Sequence, residues 1–227
     1  MRYPGGKGKC YQRLISLMPA HSTYIESHLG GGAVLRNKSP ARVNIGVEAD
    51  LQVIERWRRE HPGLCSLVHG DAAAFLESYS YAGGELVYAD PPYLAEVRRR
   101  PKVYRHDYSS TDHVRLLDVL RAVPCMVMLS GYDSAMYRNS LSDWRCVTFN
   151  AKTHVDVRQE CVWLNFKPPV TLHDASHLGA TFRERQSIKR RHGRMVEKLG
   201  RMDPVERSQV LSLLNEHYGG GEAPNSP

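Results

Sequence analysis

The chain alternates between short apolar runs and longer segments in which apolar residues recur at helical spacing. Runs typical of buried strands lie at 23–25, 42–47, 64–68, 85–89, 125–129 and 162–166. Segments with helical spacing lie at 11–18, 33–36, 51–59 and 111–122. Thr111 and Asp112 can cap the last of these helices, whose inward face is expected to hold Val114, Leu117 and Leu120. The alternation predicts an α/β fold with a mostly parallel sheet and helices on both faces.

The pattern changes after residues 167–169 (KPP), where we place a boundary between a first domain, 1–169, and a helical appendage, 170–218. Residues 182–199 are highly charged but keep an apolar stripe, which continues to Met202 and consists of Ile188, Met195, Leu199 and Met202. Residues 203–206 (DPVE) form a helix start, with an Asp cap, Pro at the first position and Glu three residues after the cap. The second helix has an apolar face of Val210, Leu213 and Leu214. Residues 219–227 are predicted to be a disordered tail.

Composition narrows the class of protein. A chain of 227 residues with 41% hydrophobic residues can bury a sizeable core. The formal net charge of +7 suits a polyanionic partner, although many basic proteins bind no nucleic acid. Five cysteines without a CxxC pair fit reduced thiols, and no HExxH or Cys/His spacing indicates a metal site. We see neither a signal peptide nor an apolar run of transmembrane length, and therefore expect a cytoplasmic protein.

Glycines and acids follow four predicted strands in succession. Residues 30–32 (GGG) follow the first strand, Glu48 and Asp50 end the second, Asp71 follows the third, and Asp90 ends the fourth. In open parallel sheets, ligands bind beyond the carboxyl ends of the strands. A glycine turn lets a ligand approach the backbone, and an acid beyond the next strand can accept hydrogen bonds from two ribose hydroxyls. Each residue alone could be an ordinary turn or a helix cap, but together they indicate a nucleoside-containing cofactor.

The glycine turn also bears on which cofactor fits. It reads GGG, which differs from the GxGxxG motif of dinucleotide-binding proteins. No adjacent arrangement suits a pyrophosphate. The sequence therefore favours a cofactor without phosphates, such as S-adenosylmethionine, over NAD.

The strand at 85–89 leads into Asp90-Pro91-Pro92-Tyr93. The two prolines remove two N–H donors, so carbonyls in this turn stay able to accept hydrogen bonds. Asp90 adds an acceptor, and Tyr93 adds a flat apolar face. Such a site accepts hydrogen bonds from an amino group on a planar base, as in adenine or cytosine. Pulling on both hydrogens frees the nitrogen lone pair for attack on a sulfonium methyl, so catalysis would be mostly positioning and electrostatics. The alternative is a buried turn with a capping Asp.

These motifs resemble the Dam-like (D12-type, α-group) DNA adenine-N6 methyltransferases over residues 2–166. The resemblance lies in the order of residues 3–7 (YPGGK), 24–34 (YIESHLGGGAV), 90–93 (DPPY) and 159–164 (QECVWL). It implies a Rossmann-like S-adenosylmethionine-dependent methyltransferase fold, S-adenosylhomocysteine as product, and duplex DNA with the adenine flipped out as partner. Asp at the first position of DPPY favours adenine, because cytosine-N4 enzymes mostly carry Ser there. The resemblance also implies the cytoplasm of a bacterial or phage-infected cell.

The resemblance implies roles for individual residues. The catalytic residues would be Asp90, Pro91, Pro92 and Tyr93. The cofactor would be bound by Tyr3, Gly5, Gly6, Lys7, Glu26, His28, Gly30, Gly32, Glu48, Ala49, Asp71, Ala72 and Asp90. Among these, Glu48 matches the acid that holds the ribose, and Asp71 matches the acid near the cofactor's adenine. Ser27-His28 replaces the family's usual Pro-Phe, so His28 is expected to alter cofactor affinity.

The family commonly inserts a target-recognition region before DPPY, but eighteen residues separate Asp71 from Asp90 here, too few for such a domain. We therefore expect a short or degenerate recognition sequence. One candidate nucleic-acid segment consists of Arg98, Arg99, Arg100, Lys102, Tyr104, Arg105 and Tyr108. Another is 183–207, where nine basic and four acidic residues give +5, and where we single out Lys189, Arg190 and Arg191. The first could instead be a solvated loop, and the second a packing or dimer element.

Three functions remain open from the sequence. The first is a DNA adenine-N6 methyltransferase, which the complete DPPY and GGK elements favour. The second is an RNA adenine-N6 methyltransferase. The third is a non-catalytic nucleic-acid-binding protein that retains the fold.

Overall fold

A seven-stranded sheet forms the centre of the molecule. The computed structural model describes residues 7, 8, 10–97, 105–152 and 157–219. The strands are β1 (Thr23–Glu26), β2 (Val43–Glu48), β3 (Ser66–His69), β4 (Glu85–Ala89), β5 (Met126–Gly131), β6 (Arg145–Lys152) and β7 (Val157–Leu164). The helices are α1 (Tyr11–Ile15), α2 (Leu51–Glu60), α3 (Ala72–Ser78), α4 (Ser110–Ala122), α5 (Ala135–Ser140), α6 (Phe182–Gly200) and α7 (Pro204–Tyr218). Two short 3₁₀ turns lie at Ala95–Val97 and Ala175–His177.

The strand order is β3-β2-β1-β4-β5-β7-β6. Strands β1 to β5 pair in parallel, whereas β7 is antiparallel to both β5 and β6. The chain proceeds from β1 towards one edge of the sheet and returns at β4 to build the other side. The neighbouring carboxyl ends of β1 and β4 therefore form a topological switch point, where open α/β sheets bind ligands. The expected Rossmann-like methyltransferase fold is confirmed.

Helices cover both faces of the sheet, so its central strands are buried on both sides. Along β4, Leu86 and Tyr88 face one core and Val87 and Ala89 face the other, as strand alternation requires. The first core includes apolar residues of α1 and α2, with Trp57 fully buried. The second core includes residues of α3, α4 and α5.

Several predicted elements differ in the structure. The helix expected at 33–36 is a series of turns, in which the N–H groups of Asn37 and Lys38 both donate to the carbonyl of Val34. Pro40 follows two residues later and prevents the helix from continuing. Helix α1 ends at Ile15 rather than at residue 18, because the N–H groups of Leu17 and Met18 form the tighter i to i−3 hydrogen bonds.

The inward face of α4 is also corrected. Val114, which was expected to face the core, is 46% exposed, whereas Leu117 and Leu120 are buried as predicted. Leu116 and His113 are buried as well. The helix is capped by Ser109, whose side chain forms a reciprocal capping box with Asp112. Elements α3, α5 and β6 were missed, and β7 begins five residues before the predicted strand at 162.

The appendage begins with a tether to the sheet domain. Asp174 accepts a hydrogen bond from the Ser39 N–H at 2.9 Å, and Arg185 in α6 donates to Gln12 at 2.7 Å. Helix α7 starts with Asp203 as cap and Pro204 in its first turn, as the sequence predicts. No residue of α6 or α7 is buried, so their apolar stripes do not join either core. The boundary at 169 stays a prediction, and residues 220–227 of the predicted tail lie outside the described residues.

A membrane-crossing helix is not found among the described residues, since none is both long and apolar enough.

Candidate active site

A cleft opens at the carboxyl edge of the parallel strands. The segments that follow β1, β2, β3 and β4 line it, together with Lys7 and residues 105, 106 and 108. The predicted cofactor residues that line the cleft are Lys7, His28, Gly30, Gly32, Glu48, Ala49, Asp71, Ala72 and Asp90. Tyr3, Gly5 and Gly6 lie outside the described residues. The structure thus brings Lys7, which the resemblance assigns to the cofactor, together with residues that follow the predicted strands.

The glycine turn gives the cleft a backbone surface. Gly30 and Gly32 have φ angles of +43° and +53°, a region that favours glycine. The indole N–H of Trp57 donates to the carbonyl of Gly30 at 2.8 Å, which fixes the turn against α2. A Cβ atom at Gly32 would overlap the Trp57 ring. Glycine is therefore required here both by the backbone conformation and by the indole behind the turn.

Two backbone N–H groups hold the carboxylate of Glu48, one at each oxygen. One oxygen accepts the Gly30 N–H at 2.8 Å and the other accepts the Asp50 N–H at 2.9 Å. The residue is 8% exposed, and this burial raises the pKa of its carboxyl group despite the two backbone donors. Each carboxylate oxygen can accept a further hydrogen bond. Glu48 can therefore receive two hydroxyl groups, as the ribose role requires.

Asp50 and Asp71 both act as helix caps. Asp50 accepts the Gln52 N–H at the start of α2, and Asp71 accepts the Ala74 N–H at the start of α3, each at 2.9 Å. Arg115 also donates to the capping oxygen of Asp71, at 3.2 Å. Capping does not remove either residue from the cleft, because both still line it. The second oxygen of Asp71 is the one available to a ligand in this geometry.

Glu26 accepts hydrogen bonds from two neighbouring groups of the protein. It is 3% exposed, and one of its oxygens accepts the Tyr24 hydroxyl and the Leu35 N–H, each at 3.0 Å. Burial raises its pKa to about 8. Glu26 is absent from the described residues that line the cleft. Its side chain holds the loop after the glycine turn through the Leu35 N–H, and its part in cofactor binding stays a prediction.

The DPPY residues join a buried polar cluster at the end of β4. Lys7 Nζ lies 2.8 Å from Asp90 Oδ1 and 3.6 Å from Glu160 Oε2. The Tyr93 hydroxyl donates to Glu160 Oε2 at 2.6 Å and accepts from Lys7. We call Lys7, Asp90, Tyr93 and Glu160 the DPPY cluster. Burial opposes the charge of Lys7, but attraction to Asp90 and Glu160 outweighs it and raises the pKa of the ammonium group.

Its surroundings in the same cluster shift the pKa of the Asp90 carboxyl group. Burial raises its pKa above the usual value, although the charge of Lys7 acts in the opposite direction. A carboxylate with a raised pKa binds a proton more tightly and is a stronger hydrogen-bond acceptor. Pro91 is buried and Pro92 lines the cleft. Because proline has no backbone N–H group, neither residue adds a donor beside Asp90.

Glu160 is a site residue that the sequence reading missed. It lies on β7 and is 7% exposed. The resemblance over residues 159–164 implies no role for it. A signal was present in the sequence, because an acid stands directly before the apolar run 161–164. Acids are rarely buried unless they are paired, so an acid that begins a core strand marks a candidate polar cluster.

Two predicted nucleic-acid residues lie instead at the rim of the cleft. The Tyr108 hydroxyl lies 2.9 Å from His28 Nε2, and Arg105 lies 3.4 Å from Asp50. Burial lowers the pKa of His28 to about 3, so the imidazole is neutral at physiological pH. In this geometry Arg105 and Tyr108 contact residues of the predicted cofactor site, and their role in nucleic-acid binding stays a prediction.

The other predicted nucleic-acid residues fall into two groups. Those outside the described residues are Arg98, Arg99, Arg100, Lys102 and Tyr104. Lys189, Arg190 and Arg191 are exposed on α6. The described residues do not include a group of three or more His, Cys, Asp or Glu side chains able to hold a metal ion.

Comparisons with known proteins show similarity of structure and not of sequence. No protein-family model matches the chain, and no curated protein matches it. The structure of TrmK from M. capricolum with S-adenosylhomocysteine is 6% identical, with a TM-score of 0.46 over 90% of this chain and 93% of that chain. A dimethyladenosine transferase from Plasmodium falciparum is 13% identical, with a TM-score of 0.43 over 68% and 59% of the two chains. An rRNA methylase from Streptococcus thermophilus is 12% identical, with a TM-score of 0.43 over 68% and 93%.

These likenesses are distant, and the Dam-like resemblance remains one of motifs. The cleft combines a glycine turn, an aligned buried acid, a neutral imidazole, and a carboxylate that follows a parallel strand. Acceptors for hydroxyl and amino groups therefore face one space.

Proposed function

We propose that this protein is an S-adenosylmethionine-dependent methyltransferase that modifies N6 of adenine in DNA. One observation carries the proposal: Asp90 and Pro92, at the end of β4, line the same cleft as Glu48 and the glycine turn. An acceptor for a base amine thus lies beside acceptors for a nucleoside cofactor, at the switch point of the sheet.

The residues fit the proposed cofactor. Glu48 can accept both ribose hydroxyls while its backbone donors keep it aligned. Asp71 can accept the amino group of the cofactor's adenine through its second oxygen. The neutral His28 puts no positive charge beside a sulfonium ion. When bound, S-adenosylmethionine supplies a methyl carbon that accepts the amine lone pair as the C–S bonding pair leaves on sulfur.

The chain's own residues prepare the amine. Asp90 accepts a hydrogen of the target amino group, and carbonyls of the proline turn can accept the other. The buried carboxylate is suited to take the proton that the nitrogen loses, because burial raises its pKa. Lys7 contacts Oδ1 of Asp90, so Oδ2 can face the base. Because the amine of a paired adenine is not accessible in a duplex, the base would have to be flipped out of the helix.

The proposal also names DNA as the substrate and a limited sequence specificity. The DPPY, GGK and glycine-turn order supports DNA, through its resemblance to the Dam-like group. The segment between Asp71 and Asp90 is occupied by α3 and β4 and the short connection between them. It leaves no room for a recognition domain, so we propose a target context of about one to three bases, with phosphates supplying most of the affinity.

The test uses the full-length protein and S-adenosylmethionine labelled in its methyl group. Duplex DNA, single-stranded DNA and RNA are offered separately, and digested products are separated as nucleosides. We expect label in N6-methyladenine from DNA. Asp90→Asn should lower turnover by about 10²-fold or more while cofactor affinity changes little. Glu48→Gln should weaken cofactor binding by roughly tenfold or more, since a charge-assisted hydrogen bond contributes about 1.5–3 kcal/mol.

A different experimental result would contradict each part of the proposal. Label in RNA alone would overturn DNA as substrate and support the RNA alternative. Label in N4-methylcytosine would overturn the choice of base. Wild-type turnover by Asp90→Asn would remove Asp90 from the mechanism. Nucleic-acid binding without transfer to any substrate would leave the non-catalytic alternative.

A further inference from the structure

Glu160 is a buried acid that the proposed transfer chemistry does not use. It lies on β7, which is antiparallel to β5, and it is 7% exposed. Removing a carboxylate from water is costly unless hydrogen bonds and an opposite charge compensate. Both are present on one oxygen, since Oε2 accepts the Tyr93 hydroxyl at 2.6 Å and lies 3.6 Å from Lys7 Nζ.

The hydrogen bond to Glu160 restrains the Tyr93 ring. Tyr93 is half-buried, its hydroxyl is held between Glu160 and Lys7, and its ring meets that of Tyr132 at 4.5 Å and 73°. Burial and the neighbouring acids raise the pKa of the phenol, which therefore stays protonated and donates. A tyrosine side chain has two rotatable bonds, so anchoring the hydroxyl fixes where the ring lies. The edge-on contact with Tyr132 restricts rotation of the ring about its own axis.

Glu160 also changes the charge that surrounds Asp90. Lys7 lies between two carboxylates, at 2.8 Å from Asp90 and 3.6 Å from Glu160. With both acids ionised the DPPY cluster carries a formal charge of −1, and without Glu160 it would be neutral. A net negative cluster suits an amine nitrogen that becomes positive as it attacks. A second carboxylate near Lys7 also leaves Asp90 less engaged by the ammonium group.

We propose that Glu160 is a positioning residue of the active site, which fixes the Tyr93 ring through its hydroxyl and shares Lys7 with Asp90, so that Asp90 can accept the target amine. The proposal rests on the proposed function and deepens it. It assigns the role to a residue on β7, in the antiparallel part of the sheet, far along the chain from DPPY.

The test is a double-mutant cycle on the full-length protein, with wild type, Glu160→Gln, Tyr93→Phe and the double variant. Gln keeps the shape of the side chain and removes its charge, and Phe removes the hydroxyl. We expect each single change to lower kcat about tenfold, with cofactor Kd changed less than about threefold. Because Glu160 acts partly through the Tyr93 hydroxyl, the two losses should combine to clearly less than their product, as expected for residues in direct contact.

A matched control tests whether loss of any buried acid gives the same result. Glu85 is 2% exposed and accepts the N–H groups of Ala82 and Gly83, at the amino end of β4. Glu85→Gln makes the same change of charge at the opposite edge of the sheet. It should lower the free energy of unfolding while kcat stays at the wild-type value, and its effect should be independent of Tyr93→Phe.

The outcomes separate this inference from the proposed function. Methyl transfer by wild type with a reduced kcat and non-additive cycle supports the role of Glu160. An active wild type with unchanged kcat in Glu160→Gln, or losses that multiply fully, overturns the inference and leaves the function in place. The inference is also overturned if Glu85→Gln lowers kcat as much, because Glu160 then matters only for folding. A wild type that transfers no methyl group to any substrate overturns the proposed function first, and the inference with it.

Discussion

Gly32 shows how a single residue can be dictated by packing behind a site. Its φ of +53° favours glycine, and a Cβ atom would also overlap Trp57, which is fully buried. Gly63 provides a comparison, because its φ is +74° but nothing lies within 4 Å of an added Cβ. The two positions therefore separate backbone strain from steric overlap.

We predict that Gly63→Ala lowers the free energy of unfolding by about 1–2 kcal/mol, the cost of the left-handed conformation alone. Gly32→Ala should cost at least about 1–3 kcal/mol more, because the indole must move in a packed core. Gly32→Ala should also weaken cofactor binding, since Trp57 holds the turn through the Gly30 carbonyl. Urea unfolding and calorimetric cofactor binding measure these effects. Equal losses at the two positions would mean that the Trp57 contact adds nothing.

The raised pKa of Glu26 predicts how the free energy of unfolding depends on pH. Burial raises its pKa from 4.5 to about 8, so the folded state binds more protons than the unfolded state between these values. Its contribution to stability is complete below about pH 4.5 and is lost as pH rises through about 8. Glu26→Gln keeps an oxygen for Tyr24 and Leu35 but does not ionise. The free energy of unfolding should therefore fall less between pH 5 and 8, roughly, in the variant than in wild type. Identical slopes would show that Glu26 does not titrate in this range.

The sequence alone predicts those site residues whose place in the fold follows from the order of strands and turns along the chain. Glu48 and Asp90 could be placed in one cleft because both end parallel strands, whose carboxyl ends share an edge. Glu160 could not, because its hydrogen bond to Tyr93 joins residues 67 positions apart and depends on where β7 lies in the sheet. Glu26 does not line the cleft, because strand alternation turns its side chain away, while its neighbour Ser27 lines it. Its role in cofactor binding stays a prediction.

At the scale of elements, prediction succeeded where flanking residues mark the ends. Strand β4 has the predicted bounds, since glycines at 83 and 84 precede it and the proline turn follows. Strand β6 was missed because residues 145–150 alternate between exposed and partly buried positions at the sheet edge, without a continuous apolar run. The turns at 33–37 show tertiary contacts overriding local helix preference, since Glu26 holds the Leu35 N–H from beneath.

The arrangement of elements also explains why helix caps and site residues coincide. Helices α2 and α3 begin directly after β2 and β3, so their capping acids lie at the carboxyl edge of the sheet. Asp50 and Asp71 therefore satisfy backbone N–H groups and face the cleft at once. A sequence alone suggests these roles as alternatives, whereas the fold makes them compatible.

At the scale of the whole molecule, positive charge is concentrated on a helix that lies outside both cores. Helix α6 carries exposed basic residues at spacings of seven and four, which put Arg183, Arg190 and Arg194 on one face, with Arg191 and Lys198 beside them. None of these residues lines the cleft. We propose that this face contacts phosphates and anchors the enzyme on nucleic acid without taking part in the chemistry.

The corresponding prediction concerns salt dependence. Replacing Arg190, Arg191 and Arg194 with Gln should lower the slope of log K against log salt for duplex DNA by about 2–3, because each lost phosphate contact removes about 0.9. Turnover at saturating DNA should be unchanged, since α6 contributes nothing to the cleft. The control replaces three exposed arginines of the sheet domain, Arg42, Arg58 and Arg59, and changes net charge equally. A specific contact requires the α6 variant to lose far more of the slope than the control. If the two variants behave alike, the charge acts at long range and α6 does not lie on the nucleic acid.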